Sequence, residues 1–177
     1  MLRLFVAVDL PQTARDMVVP LCRGIAGARW SKPEQLHVTL RFLGFVPESD
    51  LDRIRRALEA VHAPAFELGL RGVGVFPPRK LPRVLWLGLA PVEPLCRLKE
   101  QVDAVLGPDP ETAQRPFSPH LTLARFTTRP RDELAQFLAD HGQFAAGPWS
   151  VREFHLYRST LRRTGAAHEI VQSYGLG

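Results

Sequence analysis

The chain has 177 residues, 45% of them hydrophobic, with two cysteines and a formal net charge of +5. That length suits one domain or two small fused lobes, and no apolar run approaches the ~20 residues of a membrane helix. Cys22 and Cys96 supply neither a disulfide framework nor metal-ligand spacing, which leaves a reduced, cytoplasmic protein as the expectation.

Residues 2–8 are apolar enough for a first strand. Asp9 and Pro11 break the run and no small-residue cleavage site follows, so it does not read as a signal peptide. Pro11 opens a helix predicted over 12–26. His37 to Leu43 is the next strand, ended by Gly44 and Pro47. From Glu48 to His62, Leu51, Ile54, Leu58 and Val61 recur at helical spacing. Phe66 to Phe76 and Val84 to Leu89 read as strands, separated by the basic loop Pro77 to Pro82. Pro94 to Leu106 is a second amphipathic helix, His120 to Phe126 a strand, and Arg131 to His141 a helix. Trp149 to Leu161 and His168 to Tyr174 close the chain as a hairpin turning at Arg162 to Gly165. Three or four helices among about seven strands, many adjacent in order, give an α+β class with antiparallel pairing. No linker divides the chain, so residues 1–177 are read as a single domain.

Two strings in opposite halves match each other: Leu36-His37-Val38-Thr39-Leu40 and Pro119-His120-Leu121-Thr122-Leu123. A chain with this His and Thr content should hold His-x-Thr roughly 0.3 times by chance. On a strand, alternate side chains share a face. His37 and Thr39 therefore point one way and Val38 and Leu40 the other; His120 and Thr122 behave alike. The plain alternative is that each His ends a strand and bonds to backbone. The pair suggests two similar lobes facing each other across a cleft.

Two imidazoles titrate near neutral pH and can serve as acid and base in one reaction. Cleaving a phosphodiester needs one to activate the attacking oxygen and one to protonate the leaving oxygen. Thr39 and Thr122 can donate to the charged nonbridging oxygens. Arg125 or Arg41 can add a charge-assisted contact. The 20 Arg against 3 Lys permit phosphate partners, although a GC-rich genome produces the same bias. Other chemistries lack their signatures: no phosphate loop or dinucleotide fingerprint, no H-E-x-x-H, no nucleophile elbow. His62 and His141 sit at helix ends, and His155 and His168 read as structural residues of the last strands.

With these motifs and their flanks the chain resembles the 2H phosphoesterases, and within them the RNA 2′,3′-cyclic phosphodiesterases, also called 2′-5′ RNA ligases. The similarity runs through Arg3 to Pro11, Leu36 to Gly44, Gly74 to Pro77, Arg115 to Arg125 and Phe154 to Ser159. It implies a bilobal, pseudo-two-fold α+β fold of two intertwined lobes, with antiparallel sheets lining a central cleft and helices outside. It implies hydrolysis of RNA 2′,3′-cyclic phosphate ends to 2′-phosphomonoesters, with reversible 2′-5′ ligation of RNA such as tRNA halves in some members. No cofactor, metal or membrane is expected, and the protein is read as a monomer. By position, His37 resembles the proton donor to the departing 3′ oxygen and His120 the base that activates water. Thr39 and Thr122 resemble the phosphate-oxygen donors. Arg125, five residues after His120, matches a phosphate-contacting Arg; Phe42, five after His37, matches a base-stacking aromatic. Strict alternation sends Arg125 and Phe42 to the wrong face unless a bulge redirects them. His168 stands where many relatives carry Tyr. The alternatives are a noncatalytic RNA-end or nucleotide-binding protein, and a cyclic phosphodiesterase acting on a small nucleotide.

Overall fold

A computed structural model describes residues 1–78, 81–108, 116–130, 132–162 and 165–177. Nine strands form one sheet: β1 (Leu2–Asp9), β2 (Ala28–Trp30), β3 (His37–Val46), β4 (Phe66–Phe76), β5 (Val84–Ala90), β6 (Leu121–Phe126), β7 (Ala145–Val151), β8 (Glu153–Arg162) and β9 (Gly165–Gly175). Four α-helices accompany them: α1 (Gln12–Val18), α2 (Leu51–Leu58), α3 (Glu93–Leu106) and α4 (Asp132–His141). The α+β class is as expected from the sequence.

The strand order is β7-β4-β5-β6-β3-β1-β8-β9, with β2 beside β6, and every pairing is antiparallel. The path is mirrored about the β3–β6 joint: four of its strands lie on each side, β2 is added on the β6 side, and the two motif strands meet in the middle. The two faces of β1 show how the sheet is covered. Leu4, Val6 and Val8 enter the main core, which also takes Ile54 and Leu58 of α2, Leu95, Leu98 and Val102 of α3, and Leu134 and Phe137 of α4. Phe5 and Ala7 point the other way and are buried with Tyr157 in a small cluster of their own.

Three elements differ from the sequence reading. The first helix stops at Val18 instead of 26, because Pro20 has no N–H to continue the ladder. The chain tightens into a 3-10 turn over Val19–Leu21, and Gly24 and Gly27, at φ +90° and +74°, turn it away. The strand β2 that follows is three residues long, too short to show a period. The long strand expected from Trp149 to Leu161 is two strands interrupted at Arg152, since β7 pairs with β4 at one edge and β8 pairs with β1 in the other half. The helix of residues 48–62 is a 3-10 turn over Glu48–Asp50 followed by α2. Arg79 and Lys80 of the basic loop, Arg115, Arg131, and Arg163 and Thr164 of the last turn lie outside the described residues.

Candidate active site

The two motif strands meet through the pair Val38↔Leu121, both fully buried. Continuing that antiparallel register by one residue each way sets His37 opposite Thr122 and Thr39 opposite His120. Directly opposed residues of a pair share a face. The four polar side chains therefore occupy one patch on the concave face, each His beside the other motif's Thr. All four are partly buried.

Both histidines are held the same way. His120 Nδ1 donates to the Ser118 carbonyl at 2.8 Å, two residues before it. The Gln35 backbone, also two residues before its histidine, acts on His37 in the same sense and favours its protonated form. One ring nitrogen of His120 is thereby committed as a donor, and Nε2 is left for chemistry. The plain reading of a backbone-bonded His and the functional one coexist here. Gln35 itself is anchored: its Nε2 donates to the Ala166 carbonyl at 2.6 Å and its Oε1 accepts from the Lys32 N–H at 3.0 Å. The Ser31 hydroxyl donates to the Thr122 carbonyl at 2.9 Å, fastening the segment before His37 to β6.

Aromatic rings back each imidazole. His37 stacks on Phe5 at 4.8 Å, and Phe5 on Tyr157 at 5.0 Å. His120 meets Phe76 edge-on at 5.0 Å, and Phe76 packs on Trp86 at 5.1 Å. Trp86 lies where a Cβ on Gly74 would come within 2.2 Å, so only glycine fits at residue 74. The Tyr157 hydroxyl donates to Asp9 Oδ1 at 2.5 Å. Asp9 is also 3.7 Å from Arg15, which donates to the carbonyls of Leu10 and Pro33. A hollow of about 570 Å³ adjoins His37, lined in part by Asp9, Arg15, Glu34, Tyr157 and His168.

Burial lowers the pKa of both catalytic candidates. His37 falls to about 3, with the neighbouring His168 and the charges of Arg15 and Arg125 acting in the same direction as burial, and the Gln35 bond opposing them. His120 is lowered by burial and less by Arg125, against the Ser118 bond. Both rings are therefore neutral near pH 7.

A matched pair of bulges settles the faces of Phe42 and Arg125. In β3, Ala7 pairs with Thr39 and Val6 with Arg41, leaving Leu40 as an extra residue. In β6, Trp86 pairs with Thr122 and Leu85 with Ala124, leaving Leu123 extra. Leu40, Arg41, Leu123 and Ala124 are all buried, so two successive residues point to the core on each strand. The next residues, Phe42 and Arg125, return to the histidine face. Phe42 lies opposite Phe5 with rings 6.0 Å apart, and Arg125 is exposed.

The same bulge corrects the place of Arg41. Its Nη1 lies 3.0 Å from Asp103 and donates to the Gly107 carbonyl at 2.6 Å, and its Nη2 donates to the Pro108 carbonyl at 3.2 Å. Arg41 thus caps the end of α3 beneath the sheet, away from the His-Thr patch. His155 is structural as expected: it is buried, with Nδ1 2.8 Å from Ser173 Oγ. His168 is not remote, because its ring stands edge-on to His37 at 5.3 Å and to Phe5 at 5.0 Å. No local pattern marks it, since the β8–β9 hairpin brings it to the site.

A mirrored antiparallel sheet with one His-Thr pair from each half is the architecture of the two-histidine phosphoesterases. The chain belongs to the 2′-5′ RNA ligase superfamily, whose family model matches residues 21–163. It is 35% identical to an RNA 2′,3′-cyclic phosphodiesterase of Archaeoglobus fulgidus over 95% of this chain and 97% of that one. It is 34% identical to the Thermus thermophilus protein of that name over 99% and 90%. Among solved structures, one from Thermus thermophilus superposes with a TM-score of 0.77 at 32% identity, covering 98% of this chain and 97% of that one. Escherichia coli LigT in its complex with 3′-AMP superposes at 0.70 with 26% identity, over 99% and 98%.

Proposed function

We propose that this protein is an RNA 2′,3′-cyclic phosphodiesterase that opens the cyclic end to a 2′-phosphomonoester. The observation that carries the reading is the crossed register, which sets each histidine beside the other motif's threonine on one concave face. An in-line displacement at phosphorus needs two apical groups on opposite sides. His120 takes a proton from water as the water oxygen bonds to phosphorus. The bond from phosphorus to the 3′ oxygen breaks, and His37 gives that oxygen its proton. Thr39 and Thr122 donate to the nonbridging oxygens, where charge grows, and Arg125 compensates it. Phe42 stacks on the terminal base.

His37 must carry a proton to act as acid, yet its burial disfavours one. The negative phosphodiester opposes that, so substrate and proton bind together. When an RNA 5′ hydroxyl takes the place of water, the same steps join two ends through a 2′-5′ linkage. The two lobes make one domain, since each half supplies one motif to a shared site. We expect a monomer working in the cytoplasm; no helix among the described residues is long and apolar enough to cross a membrane.

The test is to incubate the protein with an oligonucleotide ending in a 2′,3′-cyclic phosphate and identify the product end. A 2′-phosphate supports the reading. A 3′-phosphate assigns departure to the other oxygen, and an unchanged substrate overturns it.

A further inference from the structure

Every Phe, Trp and Tyr of the chain lies among the described residues, and only Phe42 and Phe45 are exposed, Phe42 at 43% and Phe45 at 65%. A single exposed aromatic is ordinary, but these two are neighbours on the site's own face, and a contiguous apolar patch there marks a contact surface. Phe42 lies opposite Phe5, and Phe45 lies opposite Arg3. Phe5 and Arg3 are two residues apart on β1, so they share a face, ~6.8 Å from each other along the strand. Moving out from the catalytic patch, the concave face thus carries Thr39 beside Ala7, then Phe42 beside Phe5, then Phe45 beside Arg3. Arg3 is partly exposed and makes no ion pair among the described residues.

We propose that Phe45 and Arg3 form a second-nucleotide subsite for single-stranded RNA, placed one row beyond Phe42. This rests on the function proposed above, which seats the terminal base at Phe42. The next base toward the 5′ end stacks on Phe45, and the phosphate joining the two nucleotides faces the Arg3 guanidinium. Two rows separate along the strand by about the reach of one extended nucleotide. A ring face accepts any base, and a guanidinium beside it suits a phosphate, so the subsite is blind to sequence. A positive chain offering an aromatic and a guanidinium side by side matches an anionic strand of stacked bases better than an apolar partner.

The experiment compares kcat/KM for a 2′,3′-cyclic mononucleotide with that for a trinucleotide carrying the same end. Wild type should favour the trinucleotide by roughly 5–100-fold, the gain from one stacked base. Phe45→Ala should remove most of that ratio and Phe45→Trp should keep it. Arg3→Gln should lower the ratio and flatten its dependence on salt. Equal loss on both substrates, or no change in the ratio, overturns the subsite. If no cyclic end is opened at all, the catalytic reading fails, and fluorescence anisotropy with a 3′-phosphorylated trinucleotide still decides the subsite: weaker binding by Phe45→Ala supports it, equal binding overturns it. Sedimentation of wild type and Phe45→Ala covers the remaining occupant, because a dimer that dissociates in the variant assigns this face to a second copy and overturns the proposal.

Discussion

Leu40 and Leu123 occupy equivalent places in the two halves: each is the unpaired residue three positions after its histidine. Each turns its strand by one residue, so that the side chain five positions after the histidine regains the histidine's face. On one side that side chain is an aromatic, Phe42; on the other it is a cation, Arg125. The patch is thus symmetric in its two histidines and asymmetric in what flanks them, which suits the proposed substrate, with a base at one end and a charged phosphate at its centre.

Replacing either histidine should remove most hydrolysis. In the proposed mechanism the two act at opposite ends of one displacement, so neither substitutes for the other. His37→Ala and His120→Ala should each lower kcat by ~10²–10⁴-fold, with the circular dichroism spectrum and thermal midpoint showing the fold retained. A single variant keeping half the wild-type rate would rule out the two-histidine mechanism.

Thr39→Val and Thr122→Val preserve strand shape and remove a donor. If the hydroxyls meet charge that grows on the way to the transition state, the loss should fall on kcat, by roughly 10–10³-fold each, more than on KM. Steady-state kinetics decides this, and unchanged kcat in both variants makes the threonines strand formers only.

Arg125 and Arg41 separate function from support. Arg125 is exposed, and Arg125→Gln should lower kcat/KM with little change in stability. Arg41 is buried against Asp103 and two carbonyls at the end of α3. Asp103 keeps both its bonds to Lys99 at 2.7 Å, so Arg41→Leu should cost about 3 kcal/mol, the low end for breaking such a pair. Urea denaturation of both variants should reverse the order seen in their activity; equal unfolding midpoints would contradict the assignment of Arg41.

The paired motifs were legible because a strand makes the i and i+2 side chains share a face whatever surrounds it, and because His is rare enough for two copies to stand out. The helix boundary at Val18 was missed although Pro20 marks it, because the apolar residues beyond it carry the period onward. The bulges were not legible, since Leu40 and Leu123 look like ordinary strand residues and their extra place exists only relative to β1 and β5. The break at Arg152 has no Gly or Pro to announce it and follows from a change of partner strand. His168 reaches His37 by a fold contact spanning most of the chain, which no window can show.

Acidity should shift the two kinetic parameters apart. kcat/KM reports the free enzyme, where burial lowers both rings from 6.5, His37 to about 3. Its alkaline limb should break below pH 6.5, at the higher of the two values, and kcat/KM should rise as the medium is acidified from pH 7. In the complex the phosphodiester charge raises both rings, so the kcat profile should be displaced to higher pH. Profiles of both parameters from pH 4 to 9 test this, and a kcat/KM optimum above pH 7.5 contradicts it.

The same shifts act on stability. A ring whose folded pKa lies below its unfolded value binds fewer protons when folded, so stability is complete above about pH 6.5 and falls as pH drops toward 3. His120 and His168, also lowered by burial, add to the fall. His37→Asn should therefore flatten the decline between pH 6.5 and 4 in chemical denaturation, and an unaltered slope would show that His37 is not depressed.

The Tyr157 hydroxyl reaches back 148 positions to Asp9, and β1 lies between β3 and β8. The first strand synthesised has to wait for one of the last before both its edges are paired. Until residues 153–175 emerge, Phe5 and Ala7 lack the Tyr157 ring that covers them and His37 lacks two of the rings that surround it. The half of the site written first in the chain is the half completed last.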